Sequence, residues 1–395
     1  MCVAYQPTNL RVFMDKQTKN QDTRGLAGQV IGETAICAVN QTQLMYRGYE
    51  IADLAEHATF EEVAFLLLIG HKPSPEELKK FNAELVTLRT IPQQVEDSIV
   101  QIGSEQPEAH PMSVLRTAVS LLSHFCPSCE DNSPDAELLK AKQLLAQIPT
   151  CIGVHQTVLD GKDPVKPDPS LGHAANLLWC MTGVKPHSIA TKVMDVSLML
   201  YAEHDFNAST FTSRVISSTN SDLHSCVCGG IGALKGNLHG GANEAAMEML
   251  SDIMDAVQGG LTVEAFMKQA FESKRKLMGF GHRVYKNGDH RAEILRSWGL
   301  KYCDEVNPEA KHWFNLGDEV QSIMLRDKNI HPNVDFPCGM TYFSLGIPVP
   351  QYTPIFVASR VAGWSAHIME QHQNNRIIRP LAEYSGPKYR KWNEQ

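Results

Sequence analysis

Helical periodicity closed by capping residues runs through most of the 395-residue chain, and it leaves few folds open. In "TVEAFMKQAFESKRKL", Val263, Phe266, Met267, Ala270 and Phe271 recur at i, i+3, i+4, i+7 and i+8 behind Thr262, which is placed to act as N-cap. "EEVAFLLLIG" runs into Gly70, a helix-stopping residue, and "SPEELKKFNAELVTL" opens with Ser74 as cap and Pro75 in the first turn. "MDVSLMLYAEHD" is apolar almost all round, so it predicts a helix buried on every side. The exception is "TAICAVNQTQLMYRGYEI", where β-branched and apolar residues flank a polar turn at Asn40–Gln43 and predict a short hairpin. Neither a regular alternation of strands and helices nor an internal repeat is present. The pattern predicts a mainly α fold with a small N-terminal β-hairpin.

Length and charge narrow the class further. The chain exceeds what one small core accommodates, so two domains are expected. The glycine-rich stretches around residues 229–241 and 279–281 are the expected hinges, in preference to the turn-rich loops at Cys126–Asp135 and Leu159–Gly172. A hydrophobic content of 43% and a charged content of 20% are ordinary for a globular protein, and the net charge of −8 gives no reason to expect nucleic acid or an acidic membrane as partner. No apolar run approaches the roughly 18–20 residues that span a bilayer. The N-terminus lacks a secretion-signal core and carries Asp15 and Asp22, and ten cysteines are scattered irregularly. A reduced, cytoplasmic setting is expected.

Two apparent motifs carry little weight. Cys126-Pro-Ser-Cys129 has CxxC spacing with His124 nearby, but no second ligand pair at comparable spacing and no βαβ setting accompanies it. It reads as an ordinary surface loop, and no metal is expected. "HIMEQH" has Gln371 where an inverted zinc-protease motif requires histidine. His367 and His372 diverge around a helix, as structural or solvent-facing residues.

What remains is a constellation. His239 in "NLHGGAN" and His282 in "GFGHRVY" each sit against two glycines, a setting that admits tight turns and a ligand close to the main chain. His204 lies at the polar end of the buried helix, where a capping role is the plain alternative. Arg291, Arg360 and Arg379 each have apolar neighbours; buried guanidinium groups need anionic partners, either internal carboxylates or a di- or tricarboxylate ligand. Asp335 stands among Val, Phe and Pro, where partial desolvation would make it a stronger base.

Taken together, "LHGGANEAAME", "GFGHRVYKNGDHR", "HPNVDFP" and "TPIFVASRVAGWSAHIMEQHQNNRIIRP" resemble the citrate synthase family, in its shorter dimeric bacterial and archaeal form, over nearly the whole chain. The resemblance implies a two-domain helical fold: residues 1–236 and 346–395 would form the large domain and 237–345 the small one. It implies that acetyl-CoA is condensed with oxaloacetate and the citryl thioester hydrolysed, with no cofactor beyond the CoA thioester substrate. His239 would hydrogen-bond the thioester carbonyl, Asp335 would remove the α-proton, and His282 would polarise the oxaloacetate ketone. His204, Arg291 and Arg360 would hold oxaloacetate, with Arg379 reaching in from the other subunit of a homodimer. Leu277, Met278, Gly279, Phe280 and Gly281 would cradle the adenine of CoA, and Arg283 and Lys286 would contact its phosphates. Where the family usually has proline, His290 stands before Arg291, and a looser loop is expected there. Two alternatives stay open: a 2-methylcitrate synthase using propionyl-CoA, and a catalytically silent relative that binds CoA or a partner. The "KNGD" stretch after His282 is closer to the citrate-forming enzymes.

Overall fold

The computed structural model describes residue 26 and residues 28–387. Among the described residues the first sheet is made of three short antiparallel strands, β1 (Cys37–Val39), β2 (Leu44–Tyr46) and β3 (Tyr49–Glu50), in the order β1-β2-β3. The expected turn is present: Asn40 N–H donates to the Gln43 carbonyl at 3.0 Å, and the Asn40 side chain accepts from the Thr42 and Gln43 amides. The third strand goes beyond the expected hairpin. It is two residues long and runs straight into a helix, so it carries no periodic signal.

Helices follow one another from there. The first seven are α1 (Ile51–His57), α2 (Phe60–Ile69), α3 (Pro75–Leu88), α4 (Gln93–Glu105), α5 (Pro111–Ser123), α6 (Pro134–Leu159) and α7 (His173–Thr182). Next come α8 (Ser188–Tyr201), α9 (Ala208–Ser217), α10 (Leu223–Leu234), α11 (Ala242–Gln258) and α12 (Val263–Glu272). The series ends with α13 (His290–Glu305), α14 (Lys311–Lys328), α15 (Asp335–Ser344) and α16 (Tyr352–Gln373). The caps fall where their chemistry places them. Ser74 closes a capping box with Glu77, Thr262 accepts from the Ala265 amide at 3.1 Å, and Gly70 ends α2 in the left-handed region. Among the described residues no helix is long and apolar enough to cross a membrane.

From Ala35 onward the chain forms one compact unit. Its centre is α16, buried along nearly its whole length and packed on α6, α8, α9 and α10. Gly229 and Gly230 lie inside α10 and serve this packing rather than a hinge. A side chain at Gly229 would collide with Ile216, and one at Gly230 with Ser213 and the Trp364 ring. The expected domain limits fall in the turn between α10 and α11 and immediately after α15. His367 and His372 are both structural. His367 Nε2 meets Glu203 Oε1 at 2.9 Å with full burial on both sides, and the His372 ring bridges Glu137 and the Ser217 carbonyl. Neither faces solvent.

Candidate active site

The apolar sequence of α8 produces the expected buried helix, and its C-terminal end, where carbonyls go unpaired, is the hub of the site. Tyr46 Oη donates to the Glu203 carbonyl at 2.9 Å and lies 3.2 Å from that of Met199. Arg360 Nε donates to the Tyr201 carbonyl at 2.7 Å, and Arg291 Nη1 approaches the Leu200 carbonyl at 3.4 Å. Two guanidinium groups thus meet the negative end of one helix. Arg360 Nη1 is buried with no hydrogen-bond partner, and burial holds the pKa of this arginine below its ordinary value. A buried cationic N–H without an acceptor is expensive, and a carboxylate brought by a ligand would satisfy it.

His239 sits in the turn between α10 and α11. Its Nε2 lies 2.8 Å from Ser209 Oγ and 3.3 Å from the Ser209 amide, which can only donate. Nε2 is therefore the acceptor nitrogen, and the proton of the neutral ring is on Nδ1. Ser209 is anchored in turn: its hydroxyl lies 2.8 Å from Asn207 Oδ1 and accepts from Trp364 Nε1 at 3.1 Å. Burial, the Arg360 charge and the positive N-terminus of α9 all oppose protonation of the ring. Its pKa is pushed down to about 3.

His282 reaches the neutral state differently. Its Nδ1 accepts from the amides of Val284 (3.1 Å) and Tyr285 (3.2 Å), leaving the proton on Nε2. Burial and then the Arg291 charge lower its pKa to about 4. Its ring stacks on Tyr285 at 4.6 Å and meets His204 edge-on at 5.0 Å. His204 is buried, with Nε2 3.0 Å from Tyr285 Oη, and burial and Arg291 hold it well below the ordinary imidazole range. Arg291 is gripped by Asp289, through Nε–Oδ1 at 3.0 Å and Nη2–Oδ2 at 2.8 Å. The internal ion pair weighed for this residue is thus present, leaving Nη1 as the end of the fork turned to α8. His290 is the first residue of α13, and its N-cap Asp289 accepts from the Arg291 amide at 3.1 Å, fixing the turn without proline.

Asp335 opens α15. Tyr201 Oη donates to its Oδ1 at 2.8 Å, and its own amide donates to Asn333 Oδ1 at 3.0 Å. Burial raises its pKa to about 6, against the pull of Tyr201 and Arg291, so it is ionised at neutral pH yet basic for a carboxylate. The predicted adenine segment lies beside it. Gly281 N–H donates to the His331 carbonyl at 2.8 Å, Asn333 N–H to the Gly279 carbonyl at 2.9 Å, and Phe280 bridges Pro332. Gly279 has φ +80°, and a Cβ there would come within 2.8 Å of Phe336. Leu277 and Met278 precede it, half-buried, while Arg283 and Lys286 are exposed, with Lys286 Nζ on the His282 carbonyl at 3.1 Å.

The structure therefore gathers His204, His239, His282, Arg291, Arg360 and Asp335 around the end of α8 through shared partners. Arg379 does not join them within the chain; it is exposed on the extended segment after α16. Residues not anticipated are Tyr201, Tyr285, Ser209, Trp364 and Asp289. Tyr285 and Asp289 lay inside the quoted "GFGHRVYKNGDHR", and Asp289, two residues from a buried arginine, was the readable signal.

The chain matches the family model "Citrate synthase, C-terminal domain" over residues 25–381. The chain belongs to the citrate synthase family. It is 40% identical over 370 residues to citrate synthase 2 of Bacillus subtilis, covering 94% of this chain and 97% of that one. It is 43% identical over 372 residues to 2-methylcitrate synthase of Shewanella oneidensis, covering 93% and 96%. Among solved structures, the ternary complex of carboxymethyl coenzyme A and oxaloacetate with citrate synthase from Thermoplasma acidophilum superimposes with a TM-score of 0.87 at 30% identity, covering 95% of this chain and 99% of that one. The family is a transferase-type one, and the helical fold expected from the sequence is that of its solved members.

Proposed function

We propose that the chain condenses a short acyl-CoA with oxaloacetate and hydrolyses the resulting thioester, with acetyl-CoA as the acyl donor and citrate as product. The observation that carries this is the coexistence, around one helix end, of a raised carboxylate and two neutral imidazoles with opposite tautomers. A thioester α-proton is very weakly acidic, so a base needs a donor aimed at the oxygen where charge develops. Asp335 is the base. Tyr201 engages Oδ1 and leaves Oδ2 to take the proton. His239 Nδ1–H donates to the thioester oxygen, and a neutral imidazole does so without an imidazolium having to be desolvated. His282 Nε2–H polarises the ketone of oxaloacetate and later assists thioester hydrolysis. Arg360 Nη1 takes a substrate carboxylate, with Arg291 and His204 beside it. The segment Leu277–Gly281 receives the adenine of CoA, and Arg283 and Lys286 its phosphates.

In the proposed division into residues 1–236 with 346–395 and residues 237–345, His239 and His282 belong to the smaller part, and its closure would exclude water before the enolate equivalent forms. Arg379 completes the site of the opposite subunit in a cytoplasmic homodimer. Mixing Arg379→Ala with His239→Ala subunits is then expected to restore activity, because one hybrid site holds both intact residues. Exchanged subunits that stay inactive, with exchange verified by mass, overturn the shared site.

The reading with propionyl-CoA and 2-methylcitrate draws support from the 43% identity to the Shewanella oneidensis enzyme. One methylene shifts specificity by only about 1–3 kcal/mol, so turnover of both thioesters is expected. Equal acetyl-CoA and propionyl-CoA, with saturating oxaloacetate and both products quantified by mass, decide between them. An excess of 2-methylcitrate reverses the acyl assignment. Absence of thiol release with either thioester leaves the silent, CoA-binding reading.

A further inference from the structure

Away from the α8 hub, the loop between α5 and α6 brings Cys129 against the start of α10. Cys129 Sγ lies 3.6 Å from Asp222 Oδ1 and 3.9 Å from His224 Nδ1, and those two atoms are 4.0 Å apart. The three ligand atoms all fall within 4.8 Å of one another. A tetrahedral zinc with ordinary Zn–S, Zn–N and Zn–O bond lengths requires separations of about 3.3–3.6 Å between such atoms. Around such an ion the two sulfur separations would close by about 0.1–0.4 Å and the imidazole–carboxylate separation by about 0.7 Å.

Its setting is built rather than incidental. His224 is 2% exposed, and its Nδ1 faces the thiol at 3.9 Å and the Asp222 carboxylate at 4.0 Å, with the buried Lys140 cation near enough to oppose its protonation. Asp222 is oriented by the Ser225 amide, which donates to its Oδ1 at 2.9 Å. The loop is pinned by buried Lys140, whose ammonium donates to the carbonyls of Cys129 (2.8 Å) and Asp131 (2.7 Å). Half-buried Cys129 leaves an entry from solvent. Sequence spacing hid the arrangement, because the partners of Cys129 lie 93 and 95 residues further on.

We propose that Cys129, Asp222 and His224 form a binding site for a zinc-type divalent transition-metal ion, with the fourth position left to Cys126 of the same CxxC pair or to solvent. On binding, the Cys129 S–H bond breaks, its proton passes to solvent, and a metal–thiolate bond forms. One thiolate and one carboxylate then neutralise the dication. The site ties the α5–α6 loop to the first turn of α10, the helix whose far end leads into the His239 turn. It contains none of the groups assigned to the acyl-transfer chemistry.

The test uses the full chain, stripped with chelator under a phosphine reductant and titrated with Co2+ alone. A thiolate-to-cobalt charge-transfer band saturating at one ion per chain is expected, bleached on adding Zn2+. Cys129→Ser abolishes the band. Asp222→Asn retains an N-capping side chain and hence the fold, checked by circular dichroism, but weakens Co2+ binding at least tenfold. Zinc raises the Tm of the native chain and leaves that of Cys129→Ser unchanged. No band, or one of equal strength in both variants and so owed to another of the ten cysteines, overturns the site.

Discussion

At His239 the acceptor nitrogen is satisfied by Ser209, 30 residues away, whose hydroxyl is itself positioned by Trp364, 155 residues further on. At His282 the corresponding nitrogen is satisfied by the amides two and three residues ahead in the same loop. Both rings end up neutral, at about 3 and about 4, but with the proton on opposite nitrogens. The first arrangement exists only once α9, α10 and α16 have packed. The second is a property of the four residues 282–285 alone. The His239 environment is thus pre-set by packing of the core, while that of His282 is set within its own loop. The two directly bonded environments are separate enough to be perturbed one at a time.

The largest effect is expected at Asp335, the base in the proposed reaction. Asp335→Asn should lower kcat by about 10²- to 10⁴-fold with little change in oxaloacetate binding, measured by thiol release and by titration of the keto acid. The same variant should be the more stable protein at neutral pH. A carboxyl whose pKa rises from 3.8 to about 6 on folding binds its proton more tightly in the folded state. Its contribution to stability is therefore fully present below the unfolded value and is lost as pH rises through about 6. At pH 7 this costs up to about 3 kcal/mol, which asparagine avoids. The Tm gap between the two chains should open between about pH 4 and 6 and stay level above. A gap that is constant from pH 4 to 8 would mean that Asp335 is not desolvated as described. In the native enzyme the same ionisation predicts a kcat/KM limb that falls as pH drops through about 6.

A smaller, more selective effect is expected from Ser209→Ala. It removes the hydroxyl from His239 Nε2 and from Trp364 Nε1 but leaves the backbone donor at 3.3 Å. A buried group stripped of its partner costs about 1–3 kcal/mol, so kcat should fall about 10- to 100-fold while KM for oxaloacetate holds. Nitrogen-15 spectra of the histidine rings give the sharper readout. In the native chain His239 should report as the Nδ1–H tautomer and His282 as Nε2–H. The substitution should disturb His239 alone, and a matching change at His282 would show that the two environments are coupled.

This contrast also explains what could be read from the chain directly. Caps at Ser74 and Thr262, the stop at Gly70 and the all-round apolar α8 rest on neighbours within a turn or two, and they form where the local chemistry directs. His282 and its glycines belong to the same class, and so did the Asp289–Arg291 pair, two residues apart. The bond from Tyr201 to Asp335 spans 134 residues, and that from His367 to Glu203 spans 164. Nothing in the local pattern marks a tyrosine in an apolar helix as the donor to a carboxylate that far along. The glycine pair at 229–230 shows the converse error, since inside a helix the missing side chains make room for Ile216 and Trp364 and need no hinge. Long-range polar pairing depends on how helices pack, which periodicity alone leaves open.

The mildest perturbation tests the local half of the comparison. Tyr285→Phe deletes the hydroxyl that lies 3.0 Å from His204 Nε2 but keeps the ring that stacks on His282 at 4.6 Å. The two amide donors to His282 belong to the backbone and survive the change, because Tyr285 contributes its N–H and not its side chain. The His282 tautomer should therefore persist, and kcat should change by less than about threefold. His204 loses its only side-chain hydrogen-bond partner among the described residues, at a cost of about 1 kcal/mol for a neutral hydrogen bond. Its expected expression is a rise of about three- to tenfold in KM for oxaloacetate, with KM for the acyl-CoA unchanged. A fall in kcat instead, accompanied by a shifted His282 resonance, would mean that the tyrosine hydroxyl and not the loop backbone holds the second imidazole in place.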